Sequence, residues 1–181
     1  MKRAVKPFGN ATVQLRLLTS ADLELTLGWR NRDDARIWFK NSGILTLDKH
    51  RAWFEQYAER DDDFIFVVEA DRKPVGQASV YRVDWRGGTA EVGRFLAAPE
   101  ARGRGYIGQA CAELVRFCAA SLGLNSIYLE VKENNERAIR IYRRNGFEET
   151  NRSEGIIEMS RSLREVRERS ADATGTSTVR G

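Results

Sequence analysis

One short segment carries the residue types that bind a phosphate group. It consists of Arg102, Gly103, Arg104, Gly105, Tyr106, Ile107 and Gly108. Glycines let backbone N–H groups turn towards a ligand without a Cβ in the way. The helix predicted to follow adds unpaired N–H groups and a partial positive charge. This glycine loop (residues 102–108) therefore predicts a binding site for an anion such as a pyrophosphate, with a ligand-free tight turn as the alternative.

Two common nucleotide-binding units do not fit the glycine loop. The lysine of a P-loop is absent, which excludes an ATPase of that type. A dinucleotide-binding unit also fits badly, because the loop comes late in the chain, after a predicted antiparallel meander.

A second group of residues follows one predicted strand after the glycine loop. It reads Asn135-x-x-Ala138-x-x-x-Tyr142, and Gly146-Phe147 come next. Asn135 is typical of a helix N-cap, and the spacing places Tyr142 on the apolar face of that helix. A phenol there could donate a proton, since its reference pKa is about 10. The alternative is that Tyr142 only packs in the core.

The cysteine and histidine content argues against metal or disulfide chemistry. Cys111 and Cys118 are predicted to share a helix, seven residues apart, which separates them by about 10.5 Å along its axis. A disulfide needs Cα atoms within roughly 7 Å, so the two cannot bridge. With a single histidine there is no zinc-ligand spacing, and we expect no metal. Both thiols lie on an apolar stripe and are predicted to be buried.

Composition narrows the class of partner. The sequence has 30 Lys+Arg against 26 Asp+Glu, a net charge of +4, with 41% apolar residues. This weak surplus favours a mixed charged surface over a nucleic-acid-binding face. No apolar stretch approaches the roughly 18 to 20 residues of a membrane span, and the N-terminus lacks the apolar region of a signal peptide. We therefore expect a cytoplasmic protein that binds neither nucleic acid nor membrane.

Hydrophobic periodicity predicts the elements that position these residues. Helices are expected over 21–31, 46–57, 106–122 and 135–144, and strands over 12–18, 64–70, 75–84, 89–97, 126–132, 147–150 and 156–160. The three middle strands form an antiparallel meander, so the fold class is α/β or α+β with a mixed sheet. Residues 1–11 are expected to be flexible, 12–160 to form one domain, and 161–181 to form a polar extension with a disordered end.

The two motifs together resemble the GNAT superfamily of acyl-CoA-dependent N-acyltransferases. Arg102-x-x-Gly105 matches the family loop, and the Asn135–Tyr142 helix ending in Gly-Phe follows at the family's distance. The likeness covers about residues 12–160, including the order of elements. One departure is Ile107, which stands where the family has Gly or Ala, with Gly108 after it. The resemblance implies a mostly antiparallel sheet of about seven strands with about four helices.

The resemblance also implies how acetyl-CoA, the expected cosubstrate, would bind. Its pyrophosphate would lie on the amides of residues 103–108. Its pantetheine arm would pair with the backbone of Phe95, Leu96 and Ala97, and Asn135 would reach the same arm. The strands around 92–97 and 127–131 would splay apart and leave a notch for the thioester.

An amine would then attack the acetyl carbonyl directly. Tyr142 occupies the family's general-acid position and would protonate the leaving thiolate. Glu91 would take the ammonium proton through water, with Glu130 as the alternative base. Either carboxylate could instead be an ordinary solvated strand residue.

The N-terminal helices are expected to contact the acceptor through Trp29, Arg30, Asn31 and His50. They resemble the branch that contains ribosomal-protein alanine acetyltransferases and, more closely, acetyltransferases of nucleotide-linked amino sugars. An aromatic ring can stack on a base or sugar and Arg30 can meet a phosphate, although a core role for the His50 helix face is the alternative. We expect an N-acetyltransferase for a small amine such as an amino sugar, acting as monomer or homodimer. Protein N-terminal acetylation and a non-catalytic acyl-CoA-binding module are the alternatives.

Overall fold

The computed structural model describes residues 2–39 and 41–166, which fold around an eight-stranded sheet. Its strands are β1 (Phe8–Gly9), β2 (Gln14–Leu17), β3 (Asp63–Ala70), β4 (Lys73–Asp84), β5 (Thr89–Ala97), β6 (Ser126–Lys132), β7 (Glu148–Ser153) and β8 (Ile156–Ser162). They lie in the order β1-β2-β3-β4-β5-β6-β8-β7. Every neighbouring pair is antiparallel except β5 and β6. The predicted mixed, mostly antiparallel sheet is confirmed.

The helices cover both faces of this sheet. They are α1 (Leu23–Arg30), α2 (Asp33–Arg36), α3 (Leu47–Glu59), α4 (Tyr106–Ala120) and α5 (Glu136–Arg144), with 3-10 turns at Ser20–Asp22 and Pro99–Ala101. The short helix α2 is the one that the periodicity does not predict. Thr46 is the N-cap of α3, and its hydroxyl accepts a hydrogen bond from the Lys49 N–H.

The apolar run in β3 is explained by burial on both faces. Phe64, Phe66 and Val68 belong to the larger core cluster, which includes the buried face of α4. Ile65 and Val67 belong to a smaller cluster with side chains from the α1 and α3 regions. A strand covered on both sides needs apolar residues at every position, so β3 does not alternate.

β5 and β6 separate after a short parallel contact. Their register pairs join only Thr89–Glu91 to Ser126–Tyr128. Beyond that point β5 stays paired with β4 but bulges between Gly93 and Leu96, and Arg94 in the bulge has a left-handed φ of 52°. Such a bulge bends its strand, which here directs β5 away from β6. The predicted splay of these two strands is confirmed.

Residues 1–11, which the sequence predicts to be a flexible segment, contain a strand, and Val5 and Phe8 pack against the core. β1 pairs with β2, and the Phe8 ring stacks on Phe117 at 4.4 Å and meets Phe66 edge-on at 5.1 Å. At the other end, β8 extends to Ser162, two residues beyond the predicted domain boundary. The expected disordered end of the C-terminal extension falls on residues 167–181, which lie outside the described residues. None of the helices in the described ranges combines the length and the apolar character that a membrane span requires.

Candidate active site

The glycine loop ends at the first residue of α4 in the conformation that its glycines allow. Gly103 and Gly105 have left-handed φ values of 80° and 78°, and Gly105 is the N-cap of α4. The backbone N–H groups of residues 105–108 find no acceptor within the described part of the chain. A Cβ added to Gly103, Gly105 or Gly108 would meet nothing within 4 Å apart from the adjoining backbone, so the space beside these glycines is open. The loop therefore presents a row of unpaired donors to an anion.

The departure from the family pattern at Ile107 leaves this row intact. The Ile107 side chain packs against Gly76 of β4, since a Cβ added to that glycine would lie 2.8 Å from the isoleucine Cδ1 atom. Its N–H group remains among the unpaired donors. The two arginines differ: Arg102 forms an ion pair with Asp34 of α2, whereas Arg104 is exposed.

A cavity of about 590 Å³ connects the glycine loop with the notch between β5 and β6. Ten predicted site residues line it: Arg30, Glu91, Phe95, Leu96, Ala97, Arg102, Ile107, Glu130, Asn135 and Tyr142. The side of β5 that faces the notch has no strand partner from residue 92 onward in the described ranges. Its backbone groups are therefore available to a peptide-like arm.

Tyr142 lines this cavity from α5. Its ring contacts Phe95 at 5.7 Å and Phe147 at 6.0 Å, which fixes its orientation. Its hydroxyl makes no hydrogen bond to another described residue. Burial, with a smaller effect of the nearby Cys111 thiol, raises the pKa of Tyr142 above its usual value. The phenol therefore stays protonated and can donate to an atom placed in the cavity.

Asn135 has the predicted cap role and also reaches the cavity. Its Oδ1 atom accepts a hydrogen bond from the Ala138 N–H at 3.2 Å, which starts α5. The same side chain lines the cavity opposite β5. Asn135 can cap α5 and contact a ligand at the same time, because its side-chain amide N–H groups take no part in the cap.

The two candidate bases have different surroundings. Glu91 is 3% exposed, and its Oε1 and Oε2 atoms accept hydrogen bonds from the Tyr81 hydroxyl at 2.6 Å and Arg82 at 2.8 Å. Arg82 reaches it from a left-handed φ of 51° at an irregularity of the β4–β5 pairing. Glu130 also lines the cavity, but it lies on an exposed position of β6. Glu91 is thus an oriented carboxylate and Glu130 a solvated one.

The far wall of the cavity is built by the segment between α1 and α3. Arg30 donates to the carbonyl oxygens of Gly43 at 2.6 Å and Asn41 at 2.5 Å. The Asn31 side chain donates to the Leu45 carbonyl oxygen at 2.7 Å and accepts from the Leu45 N–H at 2.9 Å. Burial and the nearby Arg36 lower the pKa of Arg30, yet the guanidinium remains charged near neutral pH.

These features lie within a recognised domain. The profile of the acetyltransferase (GNAT) domain matches residues 12–148. The chain belongs to this family. Acetyltransferase PseH of Campylobacter jejuni is 24% identical over 130 residues, covering 72% of this chain and 79% of the relative. Spermidine N(1)-acetyltransferase of Escherichia coli K12 is 27% identical over 137 residues, covering 75% and 73%.

One relative is matched over a shorter part. The uncharacterized N-acetyltransferase MJ1207 of Methanocaldococcus jannaschii is 32% identical over 118 residues, which are 62% of this chain and about half, 51%, of that protein. Among solved structures, spermidine N-acetyltransferase from Vibrio cholerae in complex with CoA and spermine aligns with a TM-score of 0.79 at 21% identity. That alignment covers 87% of this chain and 99% of the other and shows the shared fold.

This GNAT protein is an acetyl-CoA-dependent N-acetyltransferase, and its residues fit that cosubstrate. The unpaired amides at the start of α4 suit the pyrophosphate. The unpartnered edge of β5 suits the amide groups of the pantetheine arm. Within residues 2–39 and 41–166 there is no cluster of three or more His, Cys, Asp or Glu side chains that could hold a metal.

Three predicted acceptor contacts of this GNAT domain do not reach the cavity. Trp29 is 4% exposed in the main core, because it lies on the side of α1 that packs against the sheet. His50 stacks on Trp53 of its own helix at 5.0 Å, and burial lowers its pKa. Asn31 holds the wall segment as described. On the same helix face, Trp53 and Phe54 pack against the smaller core cluster, whereas His50 is half-buried.

Several cavity residues are missed by the sequence analysis. Trp38, Phe39 and Asn41 line the cavity from a segment without helical or strand periodicity. Lys132 of β6 fastens the same segment by donating to the Ile37 carbonyl oxygen at 2.7 Å. Tyr81 is missed because its role follows from the cross-strand register with Glu91, which periodicity does not reveal.

Proposed function

We propose that this GNAT enzyme moves an acetyl group from acetyl-CoA directly to the primary amine of a small molecule. The observation that carries the proposal is one cavity that passes through the β5–β6 notch with Tyr142 and Glu91 in its wall. Direct transfer needs a donor for the departing thiolate and an acceptor for the ammonium proton, and this cavity supplies one of each.

The roles follow from the surroundings of each group. The glycine loop and the edge of β5 hold acetyl-CoA so that its thioester lies in the notch. Glu91 accepts a proton from the ammonium group, which leaves a neutral, nucleophilic amine. The amine then attacks the acetyl carbonyl carbon. The C–S bond then breaks, and the Tyr142 phenol protonates the thiolate. Glu130 is the solvated alternative to Glu91.

A covalent acetyl-enzyme is not part of this proposal. Cys111 and Cys118 are both buried in the core behind the glycine loop. Burial raises the pKa of Cys111 to about 12 and that of Cys118 further, so neither provides a thiolate near neutral pH.

The charge of the cavity wall favours an acceptor that carries an anionic group. Arg30 and Lys132 bond only to carbonyl oxygens, so no described carboxylate neutralises them. The rings of Trp38 and Phe39 line the same wall and could stack on a sugar or base. A nucleotide-linked amino sugar combines an anionic phosphate, rings that can stack and a primary amine. A polyamine is the second candidate, supported by the spermidine acetyltransferases among the relatives and by Glu91 and Glu130 in the cavity.

The test measures thiol release from acetyl-CoA with nucleotide-linked amino sugars, polyamines and N-terminal peptides. We expect the highest kcat/KM with the first class. Arg30→Gln should lower that value at least about ten-fold, because it removes one positive charge and the two hydrogen bonds that position the wall segment, whereas the value for polyamines should fall less. Turnover of peptides alone would indicate a protein acetyltransferase. If no compound of the panel causes thiol release while CoA still binds, the protein is a non-catalytic acyl-CoA-binding module.

A further inference from the structure

Tyr81 adjoins the buried carboxylate of Glu91 in the cavity wall. It lines the cavity, and its hydroxyl donates to the Glu91 Oε1 atom at 2.6 Å. The two residues are register partners on the antiparallel strands β4 and β5. Paired side chains on neighbouring strands point to the same face, so the contact is built into the sheet.

The neighbouring residues hold the Tyr81 ring in one position. The Arg94 guanidinium lies 4.1 Å from the ring centroid, and it is itself paired with Asp63 at 2.8 Å. A Cβ added to Gly93 would lie 3.0 Å from the Tyr81 hydroxyl oxygen. Glycine at this position therefore leaves room for the hydroxyl beside the β5 bulge, where the strands splay.

Glu91 has little direct access to a substrate. It is 3% exposed, and each carboxylate oxygen already accepts a hydrogen bond, one from Tyr81 and one from Arg82. The Tyr81 oxygen, by contrast, donates its only proton to Glu91 and keeps its lone pairs for a donor in the cavity. A hydroxyl in this arrangement can receive one proton while it passes on another.

We infer that Tyr81 is a further catalytic residue that relays the proton of the acceptor ammonium to Glu91, an inference that rests on the proposed function. The ammonium N–H bond breaks as its proton moves to the Tyr81 oxygen, and the Tyr81 proton moves to Glu91 Oε1. The products of this step are a neutral amine, an unchanged phenol and a carboxylic acid. Attack by the amine forms the C–N bond and breaks the C–S bond. Tyr142 protonates the thiolate and regains a proton from the new amide nitrogen, and Glu91 releases its proton to solvent.

The charged groups around the pair come from four strands. They are Asp63 on β3, Arg82 on β4, Arg94 on β5 and Glu130 on β6, with the Tyr128 phenol beside them. Burial and the hydrogen bond to Glu91 raise the pKa of Tyr81 above its usual value. Tyr81 therefore remains a neutral phenol over the pH range of the test, and the relay needs no phenolate.

The relay predicts a pH-dependent defect in Tyr81→Phe. The test measures kcat/KM from pH 6.5 to 10 with the most active amine of the panel that has a pKa below about 9, so that the range extends to both sides of that pKa. Below the pKa of that amine, the variant should lose at least about ten-fold, since it cannot remove the ammonium proton. Above this pKa the amine arrives neutral, and the variant should approach the wild type. Glu91→Gln should show the same profile, and the double variant should lose no more than either single variant.

Two controls separate the relay from a structural role. Tyr128→Phe removes another phenol near Glu91, one that is 38% exposed and does not line the cavity, and it should leave the whole profile unchanged. CoA titration should be unaltered in Tyr81→Phe, and the lost hydrogen bond to the buried Glu91 carboxylate should lower its unfolding free energy, as thermal unfolding measures. A stability loss of this kind does not depend on the pKa of the amine, so it would not produce the convergence of the two profiles. Gly93→Ala keeps the Tyr81 hydroxyl but forces it to shift by a few tenths of an ångström, so it should give a smaller loss with the same pH dependence.

The outcomes distinguish the two proposals. An equal loss at every pH, or no loss, would overturn the relay and leave the acetyltransferase function standing. A wild-type protein that acetylates no amine of the panel would overturn the proposed function and the relay with it. Convergence of the two profiles above the pKa of the amine would support both.

Discussion

Arg102 of the glycine loop and Asp34 of α2 form an ion pair that joins the cosubstrate end of the cavity to its far wall. The sequence predicts Arg102 as a pyrophosphate contact. In the structure its guanidinium is already engaged, and the partner carboxylate has a pKa held below its usual range, mainly by Arg102. Pyrophosphate and Asp34 would therefore compete for one cation, and binding at the loop is linked to the position of α2.

Removing this competition should tighten CoA binding. Asp34→Asn leaves Arg102 free for the pyrophosphate, and the exposure of the pair limits the expected gain to about two- to five-fold in Kd. Isothermal titration at low salt measures it, and 0.5 M NaCl should shrink the gain by screening. Asp33→Asn is the matched control, because Asp33 pairs with Arg36 and not with the loop. Weaker binding in Asp34→Asn would contradict the competition.

Two glycines of the loop should respond in opposite ways to alanine. Gly105 has a φ of 78°, so Gly105→Ala places a Cβ in the left-handed region and should cost about 1 to 2 kcal/mol of unfolding free energy. Gly108 lies in the first turn of α4 with open space at its Cβ position, so Gly108→Ala should gain up to about 1 kcal/mol. Urea denaturation of both variants measures the difference. Equal effects would mean that backbone strain does not set the requirement for Gly105.

Tyr142→Phe should separate chemistry from folding. The hydroxyl has no hydrogen-bond partner among the described residues, so its loss should change the unfolding free energy by less than about 0.5 kcal/mol. Without the donor, kcat should fall at least about ten-fold while the Kd for CoA stays the same. Steady-state kinetics beside titration checks this. If the variant keeps the wild-type kcat, the Tyr142 hydroxyl has no catalytic role and the residue serves only in packing.

The buried thiols should be inert until the chain unfolds. Burial raises the pKa of Cys111 to about 12, and Cys118 is shifted in the same direction. Iodoacetamide at pH 8 should leave both unmodified in the native protein and label both in 8 M urea, as read by mass spectrometry. Above about pH 9 the unfolded chain loses thiol protons that the native state keeps, so these two groups should lower the unfolding free energy as pH rises. Rapid labelling of native protein at pH 8 would contradict their burial.

The sequence predicts those parts of the site that depend on local pattern. The glycine loop, the α5 cap at Asn135 and the inward face with Tyr142 each follow from spacing within a single element, and the structure has all three. The separation of β5 from β6 follows from the family resemblance.

What the sequence does not predict depends on how elements meet. The contact of Tyr81 with Glu91 arises from the register between β4 and β5. The bulge at Arg94 shifts this register by one residue, and the hydrophobic periodicity of the sequence gives no sign of the bulge. Tryptophan is a residue type often found in binding sites, but the packing of α1 on the sheet directs the Trp29 side chain into the core. The wall residues near Trp38 lie in an irregular segment whose path is set by the Arg30 and Lys132 hydrogen bonds.

The position of β8 between β6 and β7 has a consequence for biosynthesis. A ribosome completes β6 well before β8, and until then β6 has only its short parallel contact with β5. An unpaired edge of this kind readily recruits other nascent chains. The strand that closes it is followed by Leu163, which is fully buried and donates its N–H to the Asn125 carbonyl oxygen at 2.8 Å. Chaperone protection should therefore matter most while the last part of the sheet is still inside the ribosomal tunnel.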